Sequence, residues 1–370
     1  MTQPLGSTQT EEAQPIRLPA AAIAPGDRVP NFMAADQQGA MRPFYERTLG
    51  RPLALLLSPG PQTLAAYATA QADYAAAGVD ILALVPGDSA LLADAAALPY
   101  LVLGDTQGRI LNGLHRALGR GPGEALLLLD PNQRLIAAES GATPAEAALP
   151  RLLASIPATS PDIVRSAAPA LLVPDVLDRP TCRALIRRWH DQGHDEGRVA
   201  GRVQGEQTHE INAALKKRLD HVIRDHDLTQ VLAQTIGRRV APEMAKAFLF
   251  TAGFRFENFK IVCYDAGRGD YFRRHRDSQG PGTGSRMFAM TLNLNSEEYE
   301  GGELIFPEYG QQRFKPPGGG AVVFSCALVH EALPVLSGRR FALLTFFLTL
   351  DSRPSGDSRP GGDSKPGGRS

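Results

Sequence analysis

Cysteine is scarce in this chain of 370 residues. The three cysteines, Cys182, Cys263 and Cys326, are widely spaced and form neither an even set nor a Cys-x-x-Cys pair. A disulfide framework needs paired cysteines, whereas isolated cysteines are most often small buried side chains. The pattern therefore predicts three buried thiols in a protein of a reducing compartment.

Long apolar runs are missing as well. No stretch approaches the roughly 18 apolar residues that a membrane-spanning helix needs. Residues 1–7 also lack the basic start and the apolar core of a secretory signal. We therefore expect a cytoplasmic protein with no membrane partner.

Neither sign of charge is in excess, since 39 lysines and arginines balance 39 aspartates and glutamates. A neutral chain has no overall field that would attract nucleic acid, so we expect no nucleic-acid partner. Hydrophobic residues make up 43% and charged residues 21% of the chain, as in an ordinary globular protein.

The length indicates two domains, because single hydrophobic cores stop growing at about 250–300 residues. Composition and periodicity divide the chain into five parts. These are a flexible leader (1–17), an α/β domain (18–157), a linker (158–168), a second domain (169–350) and a disordered repeat tail (351–370).

In the first domain, short aliphatic runs alternate with alanine-rich stretches. This alternation predicts a mixed α/β sheet whose strands are joined by helices. The predicted strands are Leu53–Leu57, Val79–Val85, Tyr100–Leu103 and Ala125–Leu129. A last helix and the linker are expected between Ala142 and Ala168.

The second domain is predicted to begin with a strand at Ala170 and to contain helices at Arg179–Trp189 and Leu228–Phe248. From there to Leu350, apolar segments are separated by glycine and proline turns. That pattern predicts an all-β barrel or sandwich with flanking helices.

Two segments of the second domain allow two interpretations each. The basic run Lys216-Lys217-Arg218 is either the solvated face of a helix or part of a substrate entrance. The glycine-rich segment Gly280–Gly284 is either an ordinary turn or a mobile lid.

Three residues of the second domain point to a metal site. In an extended strand, residues i and i+2 face the same way, so His275 and Asp277 can bind one metal while Arg276 points away. His330 supplies a second imidazole. Two imidazoles and one carboxylate with open positions are the ligand set of a non-haem Fe(II) centre. The alternative is that a His-x-Asp triplet arises by chance in an exposed turn.

An arginine after the second histidine suggests a dicarboxylate co-substrate such as 2-oxoglutarate. The planar arginine fork pairs bidentately with a carboxylate and stays charged at any workable pH. Arg340 directly precedes the apolar segment Phe341–Leu348, which is predicted to be a buried strand, and would lie at the mouth of an apolar pocket. Arg339 is the alternative residue for this role.

Several segments resemble the catalytic domain of prolyl 4-hydroxylase-like dioxygenases that depend on 2-oxoglutarate and Fe(II). They occur in the order of that family: Tyr264-Asp265-Ala266-Gly267, Tyr271 to Asp277, Asn293-Leu294-Asn295, Gly301-Gly302-Glu303-Leu304, Phe306-Pro307, Gly319 to Phe324, His330 to Val335, and Gly338-Arg339-Arg340. The similarity covers roughly residues 168–350, about half of the chain.

This resemblance implies a double-stranded β-helix, or jelly-roll, domain. It implies that His275, Asp277 and His330 are catalytic and bind Fe(2+), and that Arg340 and Tyr264 bind 2-oxoglutarate. Simple packing is the alternative role for Tyr264. The implied reaction uses O2 and hydroxylates a C–H bond with release of succinate and CO2, and the resemblance suggests ascorbate as a reductant.

The first domain resembles the thioredoxin-fold peroxiredoxins in three segments: Pro25 to Phe32, Gly50-Arg51-Pro52-Leu53 and Leu129-Asp130-Pro131-Asn132. Peroxiredoxins carry a Pro-x-x-x-Thr-x-x-Cys pattern. Here Pro59 and Thr63 are present, but Ala66 occupies the cysteine position. Without a thiolate there is no nucleophile for peroxide. We therefore predict that this domain has no peroxidase activity. We expect it to serve in docking, stabilisation or dimerisation, and a homodimer would form through it.

The substrate is the least constrained prediction. A prolyl residue of a protein or peptide is the first expectation, and it follows from the resemblance alone. Hydroxylation of a free amino acid or small metabolite is one alternative. A non-catalytic binding or scaffold protein built on the thioredoxin-like domain is another, but the complete His-Asp-His set argues against it.

Overall fold

The structure is a computed structural model. It describes residues 22–47, 49–87, 97–156, 163–203, 206–210, 212, 214–278 and 282–350. The predicted leader and tail lie outside the described residues, as do parts of the linker and of the glycine-rich segment Gly280–Gly284. No helix of the described residues is both long enough and apolar enough to cross a membrane.

The N-terminal half contains one seven-stranded sheet. Its elements are β1 (Met33–Asp36), β2 (Met41–Pro43), β3 (Leu53–Leu57), α1 (Pro61–Ala76), β4 (Asp80–Pro86), β5 (Leu101–Asp105), α2 (Arg109–Ala117), β6 (Ala125–Leu129), β7 (Leu135–Ser140) and α3 (Ala145–Ala154). The strand order is β2-β1-β5-β4-β3-β6-β7. The neighbours β3, β4 and β5 are parallel, whereas β6 and β7 are antiparallel.

This mixed sheet confirms the thioredoxin-like fold predicted for the first domain. All four predicted strands are present, two of them with the predicted bounds and two shifted by one or two residues. The central strands are continuous apolar runs because both faces of the sheet are covered. Pro61 occupies the first turn of α1, where its missing N–H group costs no hydrogen bond.

The C-terminal half is rich in strands. Its elements are β8 (Ala170–Val173), α4 (Arg179–Asp191), β9 (Asp195–Glu196), β10 (Val199–Val203), β11 (Glu206–Glu210), β12 (Lys216–Lys217), β13 (Leu219–Val222), α5 (His226–Phe248), β14 (Phe254–Phe256), β15 (Lys260–Asp265), β16 (Tyr271–His275), β17 (Arg286–Asn293), β18 (Tyr299–Gly301), β19 (Leu304–Ile305), β20 (Arg313–Phe314), β21 (Ala321–Ser325), β22 (His330–Ala332) and β23 (Val335–Thr349).

Two sheets of this half build the predicted double-stranded β-helix. The major sheet has the order β8-β21-β17-β23-β15-β13-β9, with β14 and β18 also paired to β23. The minor sheet has the order β12-β16-β22-β19-β20. The long strand β23 is the centre of the major sheet, because β14, β15, β17 and β18 all pair with it.

The flanking helices cover the outer face of the major sheet. Asp178 and Asp225 cap α4 and α5, each accepting a hydrogen bond from a backbone N–H of the first turn. Residues Leu232, Ile236 and Val240 of α5 are buried in the same core as outward-facing sheet residues. Successive strand residues alternate between faces, so the intervening residues of β15 and β23 point into the β-helix.

The basic run Lys216-Lys217-Arg218 is not a helix face, and that prediction was wrong. Lys216 and Lys217 form β12, at the edge of the minor sheet. The side chains of Lys216 and Arg218 are buried. A buried carboxylate, Asp220, lies close to both of them and compensates their charge. Composition does not show that this partner would be near, so the burial of the basic segment could not be predicted from it.

Buried ion pairs join α5 to the N-terminal half. Arg134, just before β7, pairs with Glu243 at 3.2 Å, and both side chains are about 6% exposed. Asp27 pairs with Arg238 at 2.7 Å and with Arg239 at 3.1 Å. The two halves are therefore joined by ion pairs whose carboxylates, Glu243 and Asp27, are almost completely buried. The exact domain boundaries at 157/158 and 168/169 stay predictions.

Candidate active site

His275 and His330 are held side by side by strand pairing. His275 ends β16, His330 begins β22, and the two residues lie directly opposite each other in the minor sheet. Nε2 of His275 is 3.4 Å from Oδ1 of Asp277, and Nε2 of His330 is 3.3 Å from Oδ2. Ligand atoms of the three side chains all lie within 4.8 Å of one another. The fold thus brings together the three residues that the sequence analysis selected.

The protonation of the two histidines suits a metal. Nδ1 of His275 donates to the carbonyl oxygen of Arg273 at 2.7 Å, and Nδ1 of His330 donates to that of Leu328 at 3.2 Å. A carbonyl oxygen can only accept, so each Nδ1 carries a proton, and Nε2 is the ring nitrogen that remains for a metal. Nε2 of His275 is buried and makes no hydrogen bond to the described residues. A divalent metal would satisfy this atom.

The charges of the site point the same way. Burial lowers the pKa of His330 to about 4, so that its imidazole is neutral at pH 7. Burial alone would raise the pKa of Asp277, but the neighbouring His330 and His275 outweigh it and hold that pKa below its usual value. One carboxylate and neutral imidazoles are the forms that bind a metal ion.

Asp277 is fixed by its backbone rather than by β16, which ends at His275. The N–H groups of Asp277 and Ser278 donate to the carbonyl oxygen of Cys326 at 3.0 and 3.3 Å. Arg276 borders the same cavity, but its guanidinium pairs with Glu308 at 2.6 Å. The prediction that Arg276 does not share the ligand position is therefore consistent with its contacts.

Arg340 and Arg339 occupy opposite environments, although both lie on β23. Arg340 is 3% exposed, and its guanidinium donates to Thr291 Oγ1 at 3.3 Å and to Asn293 Oδ1 at 3.4 Å. Its Nε makes no hydrogen bond, and no carboxylate of the described residues pairs with it. Arg339 is exposed and pairs with Asp265 at 2.8 Å.

The position of Arg340 in its strand differs from the prediction. The strand does not start at this arginine but five residues earlier, at Val335, so that Arg340 lies inside the strand. The glycine pair Gly301-Gly302 allows its own segment to lie close to β23. Gly302 has a φ of +65°, and a Cβ there would lie 3.1 Å from Cδ of Arg340.

Tyr264 lies opposite Arg340 on the paired strand β15. The centroid of its ring is 5.2 Å from Cζ of Arg340, and its hydroxyl accepts a hydrogen bond from Arg218 at 2.8 Å. Tyr264 is buried, and it contacts Arg340 through its ring and Arg218 through its hydroxyl.

One cavity of about 260 Å³ contains all of these groups. It is lined by His275, Asp277, His330, Tyr264 and Arg340, together with an apolar wall that includes Phe272, Met290, Phe324, Leu344 and Phe346. Its size is slightly below the roughly 300–1,000 Å³ of ordinary small-molecule sites. The cavity can hold a metal and a small organic acid.

Several polar residues of this cavity were not predicted from the sequence. Among them, Lys260 and Thr291 lie on β15 and β17, whose other residues are mostly apolar. The available signal was the alternation in β17, where Thr291 and Asn293 are polar residues of a strand that is buried. Their common direction became visible only in the folded sheet.

The comparisons with known proteins agree with this geometry. Residues 259–348 match the model of the 2OG-Fe(II) oxygenase superfamily. A PKHD-type hydroxylase of Shewanella baltica (strain OS155) is 30% identical over 142 residues, which cover 37% of this chain and 62% of that protein. The match therefore spans less than two thirds of this relative.

Solved structures match each half separately. A prolyl-4-hydroxylase of Pseudomonas putida covers 49% of this chain and 93% of its own, with 21% identity and a TM-score of 0.37. Peroxidoxin BcpB of Mycobacterium tuberculosis covers 36% of this chain and 99% of its own, with 21% identity and a TM-score of 0.31. The sequence match, the β-helix and the His-Asp-His cluster together show that the C-terminal half of this chain contains a 2OG-Fe(II) oxygenase domain.

Proposed function

We propose that this protein is a non-haem Fe(II) and 2-oxoglutarate dependent dioxygenase that hydroxylates a C–H bond and releases succinate and CO2. One observation carries the proposal. His275, Asp277 and His330 converge in the same cavity as the buried Arg340, whose guanidinium has no carboxylate partner among the described residues.

Each residue has a distinct task in this proposal. His275, Asp277 and His330 would hold Fe(II), which supplies the redox chemistry that couples O2 to the decarboxylation of 2-oxoglutarate. Arg340 would pair with the distal carboxylate of 2-oxoglutarate, and Tyr264 would line the same part of the pocket. The hydrogen bonds from Nδ1 of both histidines would fix the direction of their rings.

For the substrate we propose first a prolyl residue of a protein or peptide. The match to PKHD-type hydroxylases supports a hydroxylase of this general kind. The second candidate is a free amino acid or small metabolite, which the cavity of about 260 Å³ favours because little space remains beside the co-substrate. We also propose ascorbate as an auxiliary reductant.

Substrate-dependent release of succinate tests the function. The full-length protein would be incubated with Fe(II), 2-oxoglutarate, O2 and ascorbate, together with prolyl peptides in one series and free amino acids in another. We expect succinate in equal amount to a product that has gained one oxygen atom. Absence of succinate formation with every substrate, and also without substrate, would contradict the proposed function. Omitting ascorbate tests its role separately.

A further inference from the structure

The cavity contains more positive charge than an iron site and one co-substrate require. Seven lysine and arginine side chains line it, whereas Asp277 is the only acidic residue among its described lining residues: the basic residues are Arg198, Lys216, Arg218, Lys260, Arg276, Arg286 and Arg340. Such an imbalance in a cavity attracts anions.

Three of these cations already have a role. Arg276 pairs with Glu308, and Arg286 pairs with Glu257, each with a closest distance of 2.6 Å. Arg340 is assigned to 2-oxoglutarate by the proposed function. Among the others, Lys216 lies on β12, Arg218 follows that strand and Lys260 lies on β15, and we call these three residues the basic cluster.

The basic cluster shares a single carboxylate. Arg218 uses both oxygens of Asp220, at 2.7 and 3.2 Å, and also donates to the hydroxyl of Tyr264. Nζ of Lys216 is 3.8 Å from Asp220, too far for a hydrogen bond. The hydrogen bonds of Asp220 therefore go to Arg218, while Nζ of Lys216 donates to the backbone carbonyl oxygen of Arg198.

Lys260 has no hydrogen bond and no close ion pair with the described residues, although the charge of Asp220 acts on it. It lies on the inner face of β15 with Tyr264, since the two residues are four positions apart on one strand. Burial lowers the pKa of Lys260, and it lowers that of Lys216 to about 7. Neither ammonium group makes a hydrogen bond to a carboxylate of the described residues, and an anion bound between them would offset the cost of their burial.

The basic cluster lies close to the reactive part of the cavity. The ring of Phe272 stacks on His275 with centroids 3.5 Å apart. Nζ of Lys216 and Cζ of Arg218 are each 5.3 Å from the centroid of the same ring. A group bound by the cluster would therefore be one aromatic ring away from a proposed iron ligand.

We propose that Lys216, Arg218 and Lys260 form an anion-binding subsite that holds a carboxylate of the substrate to be hydroxylated. The proposal rests on the proposed function, because it takes Arg340 as the partner of 2-oxoglutarate. The carboxylate belongs either to a small free acid or to an acidic residue next to the reactive residue of a peptide. The subsite would orient the substrate while its C–H bond faces the metal.

Calorimetric titration of the full-length protein tests this subsite. The protein would be saturated with Fe(II) and 2-oxoglutarate without oxygen, so that Arg340 is occupied. Two matched pairs of probes separate the sources of the carboxylate. N-acetyl-L-proline is compared with its amide, and the peptide acetyl-Pro-Glu-amide is compared with acetyl-Pro-Gln-amide.

We expect the acid of at least one pair to bind at least about tenfold more tightly than its amide, as expected for hydrogen bonds to a charged group. Lys260→Met and Lys216→Met should each remove most of this preference. Lys217→Met is the matched control, because Lys217 donates to the backbone of Arg268 and does not line the cavity. Fluorescence of Trp189, the single tryptophan, would show that each variant is folded.

Three outcomes would overturn the subsite: no preference for the acid in either pair, a preference that both lysine variants retain, or a loss of 2-oxoglutarate affinity larger than the loss for the probes. The last result would assign the cluster to the co-substrate. If the acid is preferred but no succinate ever forms, the proposed function fails while the subsite stands.

Discussion

His275 and His330 face each other across a strand pair, and both Nε2 atoms point at the carboxylate of Asp277. This arrangement needs two sequence segments 55 positions apart, and the minor sheet supplies the register that joins them. Backbone hydrogen bonds to Cys326 then bring Asp277 to the same point.

Replacing either histidine should abolish the metal site. Loss of a residue that only hydrogen-bonds a metal ligand can weaken metal binding by roughly 100-fold. His275→Ala and His330→Ala remove the ligands themselves, and we expect each to weaken Fe(II) binding by more than that. The measurement is the visible charge-transfer band formed by Fe(II) and 2-oxoglutarate without oxygen. His226→Ala, at an exposed histidine, is the control and should keep the band. A band of normal intensity in either site variant would disprove the ligand assignment.

Arg340 and Arg339 should differ strongly in their effect on 2-oxoglutarate. Arg340→Met removes a buried guanidinium, and we expect the concentration for half-saturation to rise about 10- to 150-fold, the range for hydrogen bonds to charged groups. Arg339→Met removes an exposed ion pair with Asp265 and should change it less than about twofold. Titration of the same visible band measures both. A larger effect of Arg339→Met would reverse the assignment.

The ion pair between Arg134 and Glu243 should stabilise the contact between the two halves. Glu243→Ala leaves Arg134 buried without its partner, and we expect a loss of about 3–5 kcal/mol in the free energy of unfolding. Urea unfolding followed by Trp189 fluorescence measures the effect on the C-terminal half. The double variant with Arg134→Ala should lose less than the sum of the two single variants.

An exposed pair serves as the comparison for Glu243→Ala. The side chain of Arg151, which pairs with Glu139, is 56% exposed, so Arg151→Ala should cost less than about 1 kcal/mol. Equal losses in the free energy of unfolding for Arg151→Ala and Glu243→Ala would show that burial does not increase the contribution of the interdomain pair to stability.

The three cysteines should react slowly with thiol reagents. Burial raises the pKa of Cys182 and of Cys263 to about 12, and it raises that of Cys326 further. At a pH below its pKa, a thiol is mostly protonated. At pH 8, only about one thiol in ten thousand is therefore ionised at Cys182 and at Cys263. Labelling of the native protein should be far slower than that of the unfolded protein. Rapid labelling before unfolding would contradict the burial.

The N-terminal half should not consume peroxide. Ala66 lies exposed on α1 at the position where the peroxiredoxin pattern has its cysteine, and no cysteine precedes Cys182. Without a thiolate nucleophile, we expect the full-length protein to consume hydrogen peroxide no faster than buffer. The assay is run without Fe(II), since free iron decomposes peroxide. Catalytic consumption would contradict the prediction.

Much of the fold could be predicted because its signals are local. The apolar runs of β3 and β6 have the predicted bounds, and α5 begins within two residues of its predicted start. The burial of Lys216 and Arg218 could not be predicted, because it depends on Asp220 and Tyr264, which approach them through strand pairing. The start of β23 was also missed, since Val335–Arg339 contains glycine and polar residues that are typical of a turn.

The sequence by itself determined which residue types this protein has for chemistry: a His-x-Asp triplet, a later histidine and an arginine before an apolar strand. It also determined that the thioredoxin-like half has no cysteine. The tertiary structure decided which of Arg339 and Arg340 faces the cavity, and that Lys216, Arg218 and Lys260 face it as well. Strand direction and register set these orientations, and both depend on pairing between segments far apart in the chain.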